Sequence, residues 1–324
     1  MKDQPHVLQI LSMYHIKGEE VLNELAQVKK FDEFHEQEIV RYLNEHPVDG
    51  IILRAPARIT PAILDAGQHL KAISGAGIGL DNIDVEYATQ KGVKVMHAPK
   101  INVQATAEHA VSLILAVMKN IIPFHEEMKK GNFGYRDGRF TYELKGKTLG
   151  LVGFGSISQK VASIMQTAFG MNILIYVRRM TEEREVISEQ HGYHFTTNVD
   201  DVFREADIVS VHIPLNELTR HFVQKKHFEL MKPNAVFINT ARGGVINQED
   251  LAQVLKEKKI LGAGVDVYDP EPPLDNHPFY DLDNIVMTPH IGGISEEAAR
   301  ETTETIAKNL IKAIQGEVVD TIVN

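Results

Sequence analysis

Thr148-Leu149-Gly150-Leu151-Val152-Gly153-Phe154-Gly155-Ser156-Ile157-Ser158 decides the fold. The stretch reads as a short apolar strand, a tight glycine turn and the first turn of a helix. Gly153 would make the turn, and Gly155 would let backbone approach a pyrophosphate. The free N–H groups at the helix start, on Ser156 and Ile157, would hold phosphates with the positive end of the helix dipole. A third glycine normally follows for close helix–strand packing, and Ser158 stands there instead. Val161, Ala162, Ile164, Met165 and Ala168 then recur at helical spacing, Gly170 stops the helix, and Ile173-Leu174-Ile175-Tyr176-Val177 is a second strand. This is a βαβ unit that opens with a phosphate loop.

Working outward, strands alternate with short helices on both sides of that unit. Before it, residues 7–11, 50–53, 70–74 and 93–96 read as strands. Helical spacing covers 20–28, 61–66 and 84–90. Asn102 reads as an N-cap for a long apolar helix over 103–118, and 131–138 as an exposed arm. After the βαβ unit, strands are expected at 208–211, 235–239, 262–267 and 285–287. A polar helix follows over 296–315, and the last residues have strand character. The rhythm is that of parallel sheets covered on both faces. The fold class is α/β, with two Rossmann/flavodoxin-like parallel-sheet domains separated by a cleft.

Composition limits the function. The chain has 324 residues, enough for two domains. Its formal charge of −10 argues against general nucleic-acid or anionic-membrane binding. It has no cysteine, which removes disulfides, thiolate catalysis and cysteine metal sites; no metal site is expected. No signal-peptide pattern opens the sequence, and the apolar run 110–118 is too short to span a bilayer. A cytoplasmic protein is the expectation.

Three polar residues fall just past strands of the second half: Arg242, Glu271 and His290. All would project at the same sheet edge as the Gly153 turn. Singly, each has an ordinary structural explanation: a capped strand end, a rigid proline turn, or one of 15 histidines. Together they have a chemical logic. Arginine binds a carboxylate through two parallel hydrogen bonds. Histidine hands a proton to a carbonyl oxygen near neutral pH. A carboxylate on the other ring nitrogen holds the tautomer and favours the charged ring. With a reduced nicotinamide as hydride donor, such a site reduces a 2-keto acid.

With these residues in place, the sequence resembles the D-isomer-specific 2-hydroxyacid dehydrogenase family over essentially its whole length. The motifs are SGAGIGLDNID, GFGSIS, NTARGG at 239–244, GVDVYDPEPP at 264–273 and TPHIGG at 288–293. The resemblance implies that Arg242, Glu271 and His290 are the catalytic set. It implies a discontinuous substrate domain, 1–100 with 296–324, interrupted by a cofactor domain at 101–295 through which the protein would form a homodimer. It implies backbone contacts to the substrate carboxylate from Gly77, Ile78 and Gly79, with Arg54 facing the substrate. Asp266 would bind the nicotinamide amide, Thr240, Ala241 and Gly293 would line the cofactor, and Ile213 and Pro214 would pack near its adenosine half.

One departure bears on the cofactor. Members that prefer NAD carry an acid at the end of the second strand of the unit, where it grips ribose hydroxyls. Here Val177 stands in its place and Arg178-Arg179 follow. Losing the acid removes repulsion of a 2′-phosphate, and two arginines attract it, so NADP(H) is preferred with NAD(H) also accepted. The same arginines could be a solvated basic pair. The substrate class is a small 2-keto or 2-hydroxy acid such as glyoxylate, hydroxypyruvate or pyruvate. Phosphoglycerate dehydrogenase is the alternative activity, and a dinucleotide-sensing corepressor is the alternative from another class.

Overall fold

The protein is described from a computed structural model covering residues 4–75, 79–80, 82–98 and 100–324. It divides into two compact units. One comprises Met1–Asn102 with Ile294–Asn324, the other Val103–Gly293.

In the first unit β1 (His6–Ile10), β2 (Gln27–Phe31), β3 (Gly50–Leu53), β4 (Ala72–Gly75) and β5 (Lys94–Met96) form a parallel sheet in the order β2-β1-β3-β4-β5. This is the flavodoxin-like winding, with its switch point between β1 and β3. β3 and β4 are buried throughout, as strands covered on both faces must be. The last helix, Glu296–Ile314, returns to this unit. Its Ile306, Leu310 and Ile314 join Val7, Leu22 and Ile52 in one core.

β2 corrects the sequence reading. Residues 20–28 read as helical, yet the helix is Ile16–Leu25, and Gln27–Phe31 pair in parallel with β1. The strand is an edge strand with two lysines, so it shows no apolar run, and its pairing with β1 is what makes it a strand. The helix Glu36–Glu45 was likewise not read from the sequence. At the other end, the expected final strand amounts to an isolated antiparallel bridge between Ile322 and Met96.

In the second unit β6 (Thr148–Val152), β7 (Asn172–Tyr176), β8 (His194–Thr196), β9 (Ile208–Val211), β10 (Val236–Asn239), β11 (Gly262–Val265) and β12 (Ile285–Met287) form a seven-stranded parallel sheet in the order β12-β11-β10-β9-β6-β7-β8. The direction of winding reverses between β6 and β9. Ligands of doubly wound sheets bind at such a crevice, outside the carboxyl ends of the strands. β9, β10 and β11 are buried along their whole length. The edge strands β8 and β12 are three residues each and only partly buried, which limits unpaired backbone.

The helix Val103–Met118 packs on β10 and β11 through Ala107, Ala110, Leu113 and Ile114. With the turn before it, Lys100–Met118 spans 19 residues at a mean hydropathy of 1.3. By length and composition alone it could cross a bilayer, unlike the shorter run 110–118. Its burial against the sheet explains the apolar face that packs there.

Candidate active site

The glycine turn after β6 follows from its residues. Gly153 sits at φ +99°, where an L side chain is strained, and a Cβ there would come within 2.8 Å of the His212 carbonyl oxygen. The helix Ser156–Phe169 starts at Gly155, which has no side-chain cap. Its first-turn N–H groups are therefore not consumed by a capping oxygen. A Cβ on Gly155 would meet no protein atom within 4 Å. Ser158, the departure from glycine, is fully buried, and its hydroxyl donates to the Gly153 carbonyl at 2.7 Å. The serine thus ties the helix to the turn. Ser156 and Ile157 are half-buried in the first helical turn.

Val177 is buried at the end of β7, while Arg178 and Arg179 are exposed immediately after it. Ile213 and Pro214 follow β9 on the other side of the β6 turn. Because every strand is parallel, all these residues lie at one sheet edge.

Arg242 leaves β10 through a turn shaped by Asn239. The Asn239 side chain accepts from Ala241 N–H at 3.0 Å and donates to the Arg242 carbonyl at 3.0 Å. The Arg242 guanidinium donates to the Ala241 carbonyl at 2.7 Å. Thr240 is 7% exposed, and its hydroxyl oxygen is buried with no hydrogen-bond partner. A buried orphan of this kind is unusual unless something else satisfies it.

Gly243 brings two loops together. A Cβ there would lie 2.0 Å from the Tyr268 carbonyl carbon, so only glycine allows the turn after Arg242 to rest on the segment leading to Glu271. That segment is itself held. Gln248 donates to the Asp269 carbonyl at 2.7 Å and accepts from Asp269 N–H at 3.3 Å. Tyr268 N–H donates to Glu271 Oε1 at 3.0 Å, which leaves Oε2 to face His290. The distance from Glu271 Oε2 to His290 Nδ1 is 2.7 Å. The two side chains are 33% and 45% exposed, so the pair is open on one side, with Nε2 as the ring's other polar atom.

His290 is a non-glycine residue at φ +53°. Such backbone costs about 1–3 kcal/mol and persists when its surroundings over-determine it. Here they do. Tyr268 is buried, and its hydroxyl donates to the Thr288 carbonyl at 2.9 Å. Burial pushes the Tyr268 pKa up, which keeps it a neutral donor. Asp266 Oδ1 accepts from the Thr288 hydroxyl at 2.6 Å and from Ile291 N–H at 2.9 Å. Its Oδ2 accepts from Gly292 N–H at 2.8 Å.

Asp266 is 1% exposed. Burial alone would raise its pKa, but hydrogen bonds from His109, Thr288 and the N–H groups of Ile291 and Gly292 together hold it below the usual carboxylate range. The resemblance assigns this residue to the nicotinamide amide; within the chain it takes hydrogen bonds from Thr288, Ile291 and Gly292 and so clamps the loop that carries His290. His109, Thr288, Tyr268 and Gln248 were not singled out from the sequence. The one available signal was a histidine inside a largely apolar helix.

Gly293 is half-buried at the end of the second unit. In the first unit, Arg54 follows β3. Its Nε donates to the Ser12 carbonyl at 2.5 Å, Nη1 donates to the Ala55 carbonyl at 3.0 Å, and the guanidinium lies 5.3 Å from the Tyr14 ring centre. Gly79 is half-buried, and Gly77 and Ile78 lie outside the described residues.

Comparison with known proteins places this geometry. The family model described as "D-isomer specific 2-hydroxyacid dehydrogenase, NAD binding domain" matches residues 111–292. The chain is 38% identical over 283 residues to glyoxylate reductase of Thermococcus litoralis, covering 86% of this chain and 84% of that protein. It is 35% identical over 311 residues to D-3-phosphoglycerate dehydrogenase of Methanocaldococcus jannaschii, covering 96% of this chain but only 58% of that longer protein. Among solved structures, the acyclic imino acid reductase Bsp5 in complex with NADPH and D-Arg superposes with a TM-score of 0.84 at 28% identity, covering 98% of this chain and all of the other. The chain therefore belongs to the D-isomer specific 2-hydroxyacid dehydrogenase family, a family of oxidoreductases.

Proposed function

We propose that this protein uses NAD(P)H to reduce a small 2-keto acid, glyoxylate or hydroxypyruvate in type, to the D-2-hydroxy acid. The observation that carries the reading is the half-open Glu271–His290 pair, 2.7 Å apart and reached from the same sheet edge as the phosphate turn. The uncapped start of the helix Ser156–Phe169, the open space at Gly155 and the orphan hydroxyl of Thr240 fit a dinucleotide with polar groups along its length. When bound, a reduced nicotinamide supplies the hydride.

The chain's own residues do the rest. As the carbonyl carbon gains hydride, negative charge grows on its oxygen, and His290 gives that oxygen a proton from Nε2. Glu271 holds Nδ1, so the ring keeps one orientation while Nε2 gives up its proton. Arg242 binds the substrate carboxylate and stabilises the oxygen, and its guanidinium keeps its own protons. The first unit, with Arg54 just after β3, acts as the substrate domain, and the second acts as the cofactor domain.

NADPH is the preferred cofactor. Val177 is buried where an acid would oppose a 2′-phosphate, and Arg178 and Arg179 are exposed beside it. Replacing both arginines by alanine should weaken NADPH binding by about tenfold or more and leave NADH nearly unchanged. Equal losses for the two cofactors would make the arginines bystanders. The protein works as a homodimer through the second unit; light scattering in solution checks this.

The test of the activity is a substrate panel with both cofactors, run on glyoxylate, hydroxypyruvate, pyruvate and 3-phosphohydroxypyruvate. Reduction of the small acids by NADPH supports the reading. Preference for the phosphorylated acid would turn it toward phosphoglycerate dehydrogenase, the name of the Methanocaldococcus relative. No turnover of any keto acid would sink it.

A further inference from the structure

We propose that His109, on the helix Val103–Met118, is a positioning residue for the proton donor at position 290. The inference rests on the role of His290 given above. His109 does not touch His290. It acts through Thr288 and Asp266.

The hydrogen-bond directions can be worked out. The ionised Asp266 carboxylate only accepts. The Thr288 hydroxyl has one proton, and at 2.6 Å it goes to Asp266 Oδ1. The same hydroxyl oxygen lies 2.9 Å from His109 Nε2, so it must accept there and His109 must donate. His109 therefore carries its hydrogen on Nε2, aimed at Thr288 with Asp266 Oδ1 also 3.3 Å away. The result is a short relay, His109 to Thr288 to Asp266.

The relay straddles His290. Thr288 lies two residues before it, and Ile291 and Gly292, whose N–H groups donate to the same carboxylate, lie just after it. These contacts hold the left-handed backbone of His290, at φ +53°. The His109 ring also supports the loop by contact. A Cβ on Gly292 would sit 2.9 Å from Asp266 Oδ2 and 3.3 Å from His109 Cδ2, so carboxylate and ring together line the backbone there and leave room only for glycine. Removing the ring takes away the donor to Thr288 and the support beneath Gly292. His290 then relaxes from the geometry it needs, while the phosphate turn, on another strand, stays as it is.

The test uses the whole chain, with NADPH and the best keto acid of the panel, and compares His109→Leu with His109→Gln. Glutamine places an amide N–H near the position of the imidazole Nε2. His109→Leu should lower kcat about ten- to a hundredfold, the range expected for a misplaced catalytic group. KM for the keto acid, and NADPH affinity read by its fluorescence, should stay within about twofold. His109→Gln should return kcat to within about threefold of the parent. A purely structural histidine would move stability without this split or rescue. Unchanged kcat in His109→Leu, or equal loss in both variants, would overturn the positioning role. A parent that reduces no keto acid overturns the functional reading instead. Should His109→Leu fail to fold, nitrogen NMR of the ligand-free parent, assigned against His109→Gln, decides the matter: the ring should be the Nε2–H tautomer, and an Nδ1–H ring would break the relay.

Discussion

The second unit holds two acid–histidine pairs whose acids, Asp266 and Glu271, are close in the chain, and they differ in access to water. Glu271 and His290 are 2.7 Å apart with side chains 33% and 45% exposed. Asp266 and His109 are 3.3 Å apart with side chains 2% and 16% exposed. The residue types are the same. The buried carboxylate has its oxygens occupied by hydroxyl, imidazole and backbone donors, so it is rigid and stays ionised. The open pair has a free side, where on the proposed reading a proton can leave and a substrate can approach. A proton donor has to be accessible and a clamp has to be satisfied, and the fold leaves one pair open while it buries the other against the helix Val103–Met118.

The comparison can be broken most forcefully at the open pair. On the proposed reading, His290→Ala should cut keto-acid reduction about 100- to 10,000-fold, the usual loss on removing a general acid. NADPH binding, followed by fluorescence, should be nearly intact. A modest loss of rate with a large loss of cofactor affinity would mean that His290 belongs to the binding surface.

At the buried pair the larger effect should be on stability. Asp266→Asn replaces an acceptor oxygen by a donor facing other donors, and should cost about 2–3 kcal/mol in chemical denaturation. The pH dependence has a definite sign. A carboxyl whose folded pKa is lowered contributes stability that is fully present above its ordinary value of 3.8 and is lost as pH falls through the folded value. The parent should therefore lose stability below about pH 4, and Asp266→Asn should flatten part of that loss. Identical acid limbs for the two proteins would show that the clamp is not what acid breaks.

The smallest effect should come from the partner of the open pair. Glu271→Gln keeps a hydrogen-bonding oxygen near Nδ1 and removes only the charge. It should slow reduction about tenfold, well short of His290→Ala, with little change in stability because the site is part exposed. A loss as large as that of His290→Ala would mean that the pair acts as one unit.

Much of the site was legible because its chemistry sits in short segments. The glycine turn at 153–155 and the strand-end positions of Arg242, Glu271 and His290 need only a periodic strand followed by a polar residue. Local pattern failed where pairing or packing makes the element. β2 carries two lysines and becomes a strand by its register with β1, from His6 opposite Gln27 to Ile10 opposite Phe31. Asp266 could be assigned a place at the sheet edge but not its partners, since His109 and Thr288 are 179 positions apart in the chain.

By itself, the sequence determined the α/β class, the glycine turn before the helix Ser156–Phe169 and the residue types at the sheet edge, because strand period, glycine placement and side-chain chemistry act over a few residues. Only the tertiary structure decided that Asp266 faces His109 and closes on the loop around His290. That choice depends on burial and on distances between segments far apart in the chain. Gly243 lets the Arg242 turn rest on Tyr268, the helix Val103–Met118 brings His109 to Thr288, and closing Asp266 away from water separates the clamp from the open Glu271–His290 pair.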